Sequence, residues 1–225
     1  MKRIVFLCFA PAFAVSACQS ASVGPAHNVY GMGPGQSAPA ISQYDFVAPA
    51  PIWGELSLCG GRVSNSGPVS VSGQSLAYEP YISTPAGLLL RNPTDGACLS
   101  SGFGWRGVAS GGGKMHTGLD LANANGGFIY AAGAARVSRV AVRGGYGLTV
   151  ELDHGDGVRT LYAHLSETNP GLRPGQWIAA GKPVGRMGMT GNATGVHLHY
   201  EVWVGDQRVD PLVYGPVAGA FGPVS

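Results

Sequence analysis

The sequence has few charged residues and no run of basic ones. Asp, Glu, Lys and Arg make up only 12% of the 225 residues, and the formal net charge is +2. Lys2 and Arg3 account for that excess, since the 14 basic residues less these two equal the 12 acidic ones. Without a basic patch we expect no nucleic-acid partner. A disordered chain is also excluded, because 45% of the residues are hydrophobic.

The N-terminus lacks an apolar run long enough to cross a membrane. After the two basic residues, positions 4–17 are uncharged, which gives about 14 residues where a spanning helix needs about 20. This pattern is typical of a signal peptide. The run ends in VSAC at 15–18, which resembles a lipobox. We therefore predict cleavage before Cys18 and its acylation; the alternative is an ordinary secretory signal with an incidental cysteine.

An acylated Cys18 would anchor the protein to a membrane of the bacterial cell envelope, provided that several acyl chains are attached. Gln19 follows the cysteine, where an Asp would favour retention at the inner membrane of a Gram-negative cell. The expected location in such a cell is the outer membrane, facing the periplasm.

Cysteine is scarce, with four residues in all. Cys8 would leave with the signal peptide and Cys18 would carry lipid. Cys59 and Cys98 remain as an even pair in an oxidising compartment, which favours a disulfide. The alternative is two separate buried thiols. Their spacing does not match a zinc motif.

The rest of the chain divides into four segments that differ in composition and pattern. Residues 18–43 are rich in Ala, Ser, Pro and Gly and predict a flexible, lipid-anchored tether. Residues 44–97 have a weak pattern, with short strand-like alternation at 56–59 and 69–71, and predict an N-terminal extension of uncertain fold packed against the main domain. The main domain is expected at 98–214 and a C-terminal tail at 215–225.

No stretch of useful length has a convincing helical period. The 37 Gly and 16 Pro residues suit turns and disfavour helix interiors. Apolar alternation between Gly-rich turns predicts an all-β fold with an antiparallel β-sheet sandwich or barrel-like core. The strands are expected at 134–142, 148–153, 159–164, 176–179, 183–187, 196–204 and 207–209.

Two short motifs place pairs of metal-binding side chains together. His116 and Asp120 are four residues apart, and in one continuous strand they would face the same side. Imidazole nitrogen and carboxylate oxygen both bind zinc. His197 and His199 flank Leu198 in a strand-like run, so both rings should share a face where they need partners, such as a metal.

A further histidine, His164, ends the apolar strand-like run LYAHL at 161–165. Taken alone, it could equally be a hydrogen-bonded core histidine. Considered together with the two pairs, His164 favours a metal site with additional histidines. Three ligands suit a catalytic zinc site with water in the fourth position, and two further imidazoles could handle protons and developing charge near neutral pH.

Four motifs occur in an order that resembles the lysostaphin/LytM-type zinc endopeptidase family over about residues 98–214. They are GFGWR at 102–106, HTGLD at 116–120, YAHLS at 162–166 and TGNATGVHLHYE at 190–201. The resemblance implies an all-β domain with long loops around a metal groove. It also implies hydrolysis of peptide cross-links in bacterial peptidoglycan by a metal-activated water.

The resemblance also implies a role for each candidate residue. His116, Asp120 and His199 match the ligands of one Zn²⁺ ion per chain, and His164 and His197 match the two catalytic histidines that do not bind the metal. Two other histidines are expected to take no part in catalysis: His154 as a structural residue of a turn, and His27 within the tether.

Two other readings compete with the enzyme. One is a non-catalytic envelope factor of the same fold that binds peptidoglycan or activates an amidase, and the presence of all five matching residues argues against it. The other is a lipid-anchored scaffold with structural histidines. A further hypothesis is that residues 44–97 cover the groove and restrain the activity.

Overall fold

The computed structural model describes residues 42–61, 63, 71–72, 75–107 and 113–215. All of them belong to the unit Ile41–Ser225. The expected signal peptide, Cys18, His27, nearly all of the tether and all but the first residue of the tail lie outside the described residues. Among those described, no helix has the length and apolar character to span a membrane.

The regular structure of these residues is almost entirely β-strand, and no α-helix occurs among them. The strands are β1 (Glu55–Ser57), β2 (Val71–Ser72), β3 (Ser75–Ala77), β4 (Tyr81–Thr84), β5 (Gly87–Leu90), β6 (Cys98–Ser101), β7 (Gly104–Arg106), β8 (Lys114–His116), β9 (Leu119–Ala122), β10 (Phe128–Tyr130), β11 (Ala135–Arg143), β12 (Gly147–Gly155), β13 (Val158–Thr168), β14 (Trp177–Ile178), β15 (Pro183–Met187), β16 (His197–Val204) and β17 (Gln207–Val209). Three short 3₁₀ turns occur at Gln43–Phe46, Cys59–Gly61 and Gly144–Tyr146.

The main sheet has ten strands, with the central order β14-β11-β12-β13-β16-β9-β6. Its neighbouring strands pair antiparallel. β10 and β15 pair with each other beside β13, and β17 pairs with β16. The prediction of an all-β antiparallel fold is confirmed. Within the described part of the chain the sheet is open and does not close into a barrel.

The centre of the sheet separates an apolar face from a polar one by strand alternation. On β16, Leu198, Tyr200 and Val202 are completely buried in the hydrophobic core. The intervening residues, among them His199 and Glu201, therefore point to the opposite face. In the pairing register His199 lies opposite Asp120 of β9. Two strands far apart in sequence thus bring their polar side chains together.

The seven strands expected beyond residue 134 are all present. β15 and β17 keep the expected bounds of 183–187 and 207–209, and the ends of β11, β12, β14 and β16 differ by one or two residues. The largest difference is at β13, which continues to Thr168 where an end at His164 was expected. The strand continues through His164. The backbone of that residue is left-handed, and the pairing of β13 with β12 resumes at the next residue, Leu165.

One local expectation was wrong. Residues 116–120 do not form a continuous strand: His116 ends β8, which pairs with β7 in a separate two-stranded sheet, and Asp120 lies in β9 of the main sheet. The break falls at Gly118, which is buried against the backbone of β16. A Cβ atom at Gly118 would collide with the carbonyl oxygen of Tyr200. This close approach requires glycine and turns the chain between the two sheets.

The extension has a fold of its own that shares the core of the main domain. It contributes a three-stranded sheet of order β1-β3-β2 and the hairpin β4-β5. Leu56, Leu76 and Ile82 from these strands are fully buried in the same hydrophobic cluster as the main sheet. Cys59 and Cys98 form a disulfide with their Cα atoms 5.2 Å apart, which joins the extension to β6.

Removal of this disulfide is expected to lower the free energy of unfolding by about 2–4 kcal/mol, because it closes a loop of about 40 residues in the unfolded chain. The comparison is urea denaturation of the Cys59→Ala/Cys98→Ala double variant against the oxidised wild type, both in chelator. Reductant should shift the wild-type midpoint and leave that of the variant unchanged. Equal midpoints for the oxidised wild type and the double variant would contradict a stabilising disulfide.

Candidate metal centre

Three side chains from three strands converge on one point of the polar face. His116 Nε2 lies 3.0 Å from Asp120 Oδ1 and 3.0 Å from His199 Nδ1. His199 Nδ1 lies 2.9 Å from the same carboxylate oxygen. All three residues are largely buried. Their ligand atoms are close enough together to hold one metal ion.

The oxygen nearest to the outer nitrogen of each ring can only accept hydrogen bonds; the Ser101 hydroxyl lies farther from His116 Nδ1, at 3.4 Å. His116 Nδ1 lies 2.6 Å from the carbonyl oxygen of Gly102, and His199 Nε2 lies 3.1 Å from Glu201 Oε1. We infer that each outer nitrogen carries the proton, so each inner nitrogen presents a lone pair. Two lone pairs and a carboxylate oxygen then face one another, and a bound cation would relieve their repulsion. This donor set fits zinc.

The carboxyl group of Asp120 is held at its second oxygen by a guanidinium. Arg106 Nη2 donates to Asp120 Oδ2 at 2.5 Å, and Arg106 Nε donates to Ser101 Oγ at 3.0 Å. Burial alone would raise the pKa of Asp120, but the guanidinium in contact with its second oxygen favours the charged form. Asp120 is therefore a carboxylate that presents one oxygen to the cluster.

The other two candidate histidines lie beside this cluster. The ring centroids of His164 and His197 are 4.7 Å apart, and His197 Nε2 lies 3.7 Å from Asp120 Oδ1. In each ring Nδ1 faces a backbone carbonyl at 2.8 Å, that of Thr190 for His164 and that of Gly195 for His197. Each Nε2 is therefore the nitrogen left to exchange a proton. Burial lowers the pKa of His164, which favours the neutral ring that a base requires.

His164 has an unusual backbone conformation for a residue inside a strand. Its φ is 63°, in the left-handed region that non-glycine residues rarely adopt. Register shifts occur in the pairing of β13 with both β12 and β15 around Leu165, the next residue. Strained backbone persists where the surroundings enforce it, and such residues cluster at functional sites. The strain turns the His164 ring towards His197.

Thr190, which opens the TGNATGVHLHYE motif but received no role of its own, holds the strained strand in place. Its carbonyl faces His164, and its hydroxyl donates to the carbonyl of Leu165 at 2.9 Å and accepts from the amide of Leu148 at 2.9 Å. Gly147 packs so tightly on Thr190 that a Cβ atom there would collide with it. The glycine-rich turn before β12 thus fixes the loop that positions His164.

Glu201 is the other residue of the site that was not assigned a role. It is completely buried on β16, two positions after His199, and faces the same side. Burial alone would raise the pKa of Glu201, but hydrogen bonds from His199 and Thr117 outweigh it and lower that pKa to about 2. The signal was present in the sequence, because Glu201 closes the TGNATGVHLHYE motif.

The remaining expected residues lie away from the cluster. His154 makes hydrogen bonds to the carbonyl oxygen of Ala134 at 3.0 Å and to Thr160 Oγ1 at 2.9 Å. Hydrogen bonds between the extension and the main domain include those with Glu167, Gly181, Ala132, Asn123, Tyr130, Tyr200 and Pro211. None of these partners is one of the five candidate histidine and aspartate residues.

Residues 114–211 match the family model described as Peptidase family M23. This range contains all five candidate residues, from His116 to His199. The segment is therefore a peptidase domain. The resemblance drawn from the four motifs is confirmed for this segment, which makes up less than half of the chain.

Two curated proteins and one solved structure show how far the similarity extends. The chain is 37% identical over 99 residues to the DD-carboxypeptidase/endopeptidase Mpg of Neisseria meningitidis serogroup B, covering 44% of this chain and 22% of that protein. It is 33% identical over 124 residues to the peptidoglycan DD-endopeptidase ShyC of Vibrio cholerae, covering 54% and 28%. The crystal structure of a zinc containing peptidase from Vibrio cholerae superposes with a TM-score of 0.51 at 26% identity, covering 66% and 46%. The chain thus spans less than half the length of each.

Proposed function

We propose that the chain is a zinc-dependent endopeptidase that hydrolyses peptide cross-links of bacterial peptidoglycan. The observation that carries the proposal is the cluster of His116, Asp120 and His199 with two further imidazoles beside it. The match of residues 114–211 to a peptidase family supports the reaction class. The name of the relative ShyC, a peptidoglycan DD-endopeptidase, supports the substrate class.

The converging donor atoms support three zinc ligands: His116 Nε2, Asp120 Oδ1 and His199 Nδ1. Zinc bound there would act as a Lewis acid and lower the pKa of a water ligand towards neutrality. The outer hydrogen bonds of the two ligand rings keep their inner nitrogens unprotonated. Arg106 keeps the second oxygen of Asp120 occupied, so the first is directed inward.

His164 and His197 supply the proton chemistry at Nε2, since Nδ1 of each ring is occupied by a backbone carbonyl. One imidazole, with a free lone pair at Nε2, takes a proton from the attacking water. The other donates a hydrogen bond from Nε2 to the oxyanion that forms from the scissile carbonyl, which requires a proton on both of its nitrogens. Breaking the C–N bond then requires a proton on the leaving amine, and the imidazole that took one can return it. The neutral form of His164, favoured by burial, suits the base.

The location follows from the predicted lipobox. Acylation of Cys18 would hold the enzyme on a membrane of the cell envelope, where the tether 18–43 lets the domain reach peptidoglycan. In a Gram-negative cell we place it on the outer membrane, facing the periplasm. Peptidoglycan peptides and the membrane are the proposed partners.

The deciding experiment measures zinc content and hydrolysis of purified peptidoglycan on the same soluble chain, residues 19–225. We expect about one zinc per chain and release of uncross-linked peptides. A chelator should abolish the release, and added zinc should restore it. Zinc without hydrolysis would overturn the proposal in favour of an envelope factor or amidase activator. Absence of both would favour a scaffold.

A further inference from the structure

The buried carboxylate of Glu201 accepts hydrogen bonds from an unusually large number of donors. Its Oε1 accepts from His199 Nε2 at 3.1 Å, from the Tyr146 hydroxyl at 2.9 Å and from the Thr117 hydroxyl. Its Oε2 accepts from Trp203 Nε1 at 2.9 Å and from Arg208 Nε at 3.0 Å. Five donors from four parts of the chain thus meet on one carboxylate, and the side chain is completely buried.

A buried carboxylate is costly unless it is paired, and replacing a buried ion pair by apolar side chains often stabilises a protein. Stability alone therefore does not account for a glutamate at this position. Glu201 follows His199 by two residues, so strand alternation places both side chains on the same face. The carboxylate reaches the ring nitrogen on the far side from the metal cluster, where it can act on the orientation of the ring.

The two oxygens of Glu201 have separate roles. Oε1 receives the proton-bearing nitrogen of His199 and so selects the tautomer whose Nδ1 faces the cluster. The Tyr146 ring, with its centroid 5.7 Å from that of His199, limits rotation of the imidazole. Oε2 is held by Trp203 and Arg208, which contribute nothing to the cluster directly.

The anchor on Oε2 is built from the β16–β17 hairpin. Trp203 and Arg208 lie opposite each other in its pairing register. The Arg208 guanidinium carbon lies 4.0 Å from the Trp203 ring centroid, and that of Arg159 lies 5.0 Å from it. A stacked guanidinium is restricted in orientation, so its Nε remains directed at the carboxylate. The hairpin therefore fixes the glutamate, and the glutamate fixes the histidine.

We propose that Glu201 is the positioning residue for the zinc ligand His199, and that Trp203 and Arg208 hold Glu201 in register for this role. The inference rests on the proposed function for the identity of the metal. It assigns a purpose to β17 and to the end of β16, which contribute no side chain to the metal cluster itself.

The test is the zinc dissociation constant of the soluble chain 19–225, measured by competition with a chromophoric chelator. Glu201→Gln keeps the size of the side chain and removes its charge, and it should weaken zinc binding about 10–100-fold. The cobalt-substituted protein gives a second readout, since a shifted visible spectrum reports a changed orientation of His199. Trp203→Phe should weaken zinc binding in the same direction by a smaller factor.

Glu167→Gln is the matched control. It makes the same chemical change at a carboxylate whose partners are Gln43 and Tyr44, and it should leave the zinc dissociation constant unchanged. A purely structural role for Glu201 would lower the thermal midpoint of the zinc-free protein without changing zinc affinity or the cobalt spectrum. That result would overturn the inference.

The outcomes separate this inference from the proposed function. A wild type that binds no zinc refutes the function itself. A wild type that binds zinc, together with a Glu201→Gln variant of equal affinity, refutes only the positioning role. If Glu201→Gln does not fold, Trp203→Phe decides: unchanged zinc affinity and an unchanged cobalt spectrum in that variant would refute the role.

Discussion

His199→Ala is expected to lose zinc and peptidoglycan hydrolysis together. The substitution removes one of three ligands and leaves two, fewer than a catalytic zinc site retains. Zinc content after dialysis should fall from about one per chain to a trace, and release of uncross-linked peptides should fall to background. Metal analysis and chromatography of the digest on the same sample measure both losses.

The same change has a second cost that must be separated from the loss of metal. Without His199, Glu201 remains buried with one donor fewer, which should destabilise the fold by about 1–3 kcal/mol. His116→Ala should cost less, because the outer partner of His116 is a neutral group, the backbone carbonyl of Gly102, whereas that of His199 is a buried carboxylate. The two variants should lose zinc alike, and His199→Ala should be the less stable in chelator.

His154→Ala is the control for histidine loss as such. His154 hydrogen-bonds Ala134 and Thr160 and lies outside the cluster, so its variant should keep zinc and hydrolysis. Wild-type hydrolysis by His199→Ala would refute the ligand assignment. Zinc loss in His154→Ala would show that metal content reports folding and not ligation.

The sequence was sufficient to predict the part of the fold that depends on local alternation. Strands such as those expected at 134–142 and 183–187 are continuous in sequence, and at the start of β11 the alternation of apolar residues matches the alternation of buried and exposed side chains. The shared face of His197 and His199 follows from the same two-residue period. These features need no knowledge of which strands become neighbours.

The features that the sequence could not predict depend on neighbours in space. The break at Gly118 arises from its contact with Tyr200, a residue of another strand. The alternation rule therefore placed His116 and Asp120 in one strand, whereas they lie in two. The roles of Thr190 and Glu201 likewise depend on the pairing of β13 and β16. The extension was poorly patterned because its short strands share a core with the main sheet.

His164→Ala and His197→Ala are expected to keep zinc and to lose most of the hydrolytic rate. Neither residue belongs to the cluster of converging ligand atoms, so metal content should stay near one per chain. Loss of a general base or of an oxyanion donor should reduce kcat about 10²–10⁴-fold. The measurement is kcat on purified peptidoglycan alongside metal analysis.

The backbone of His164 allows a sharper version of the experiment. At φ 63° an alanine keeps the left-handed strain and a glycine relieves it. His164→Gly and His164→Ala should therefore lose the same rate, while the glycine variant should be more stable by about 1 kcal/mol. This pair separates the function of the imidazole from the strain of the strand that carries it.

Two results would contradict the assignment. Loss of zinc from His164→Ala would make His164 a ligand and exclude it as a base. A rate near that of the wild type in both His164→Ala and His197→Ala would show that the two imidazoles do not carry the proton chemistry. If only one variant keeps its rate, the histidine replaced in the other variant is the essential one.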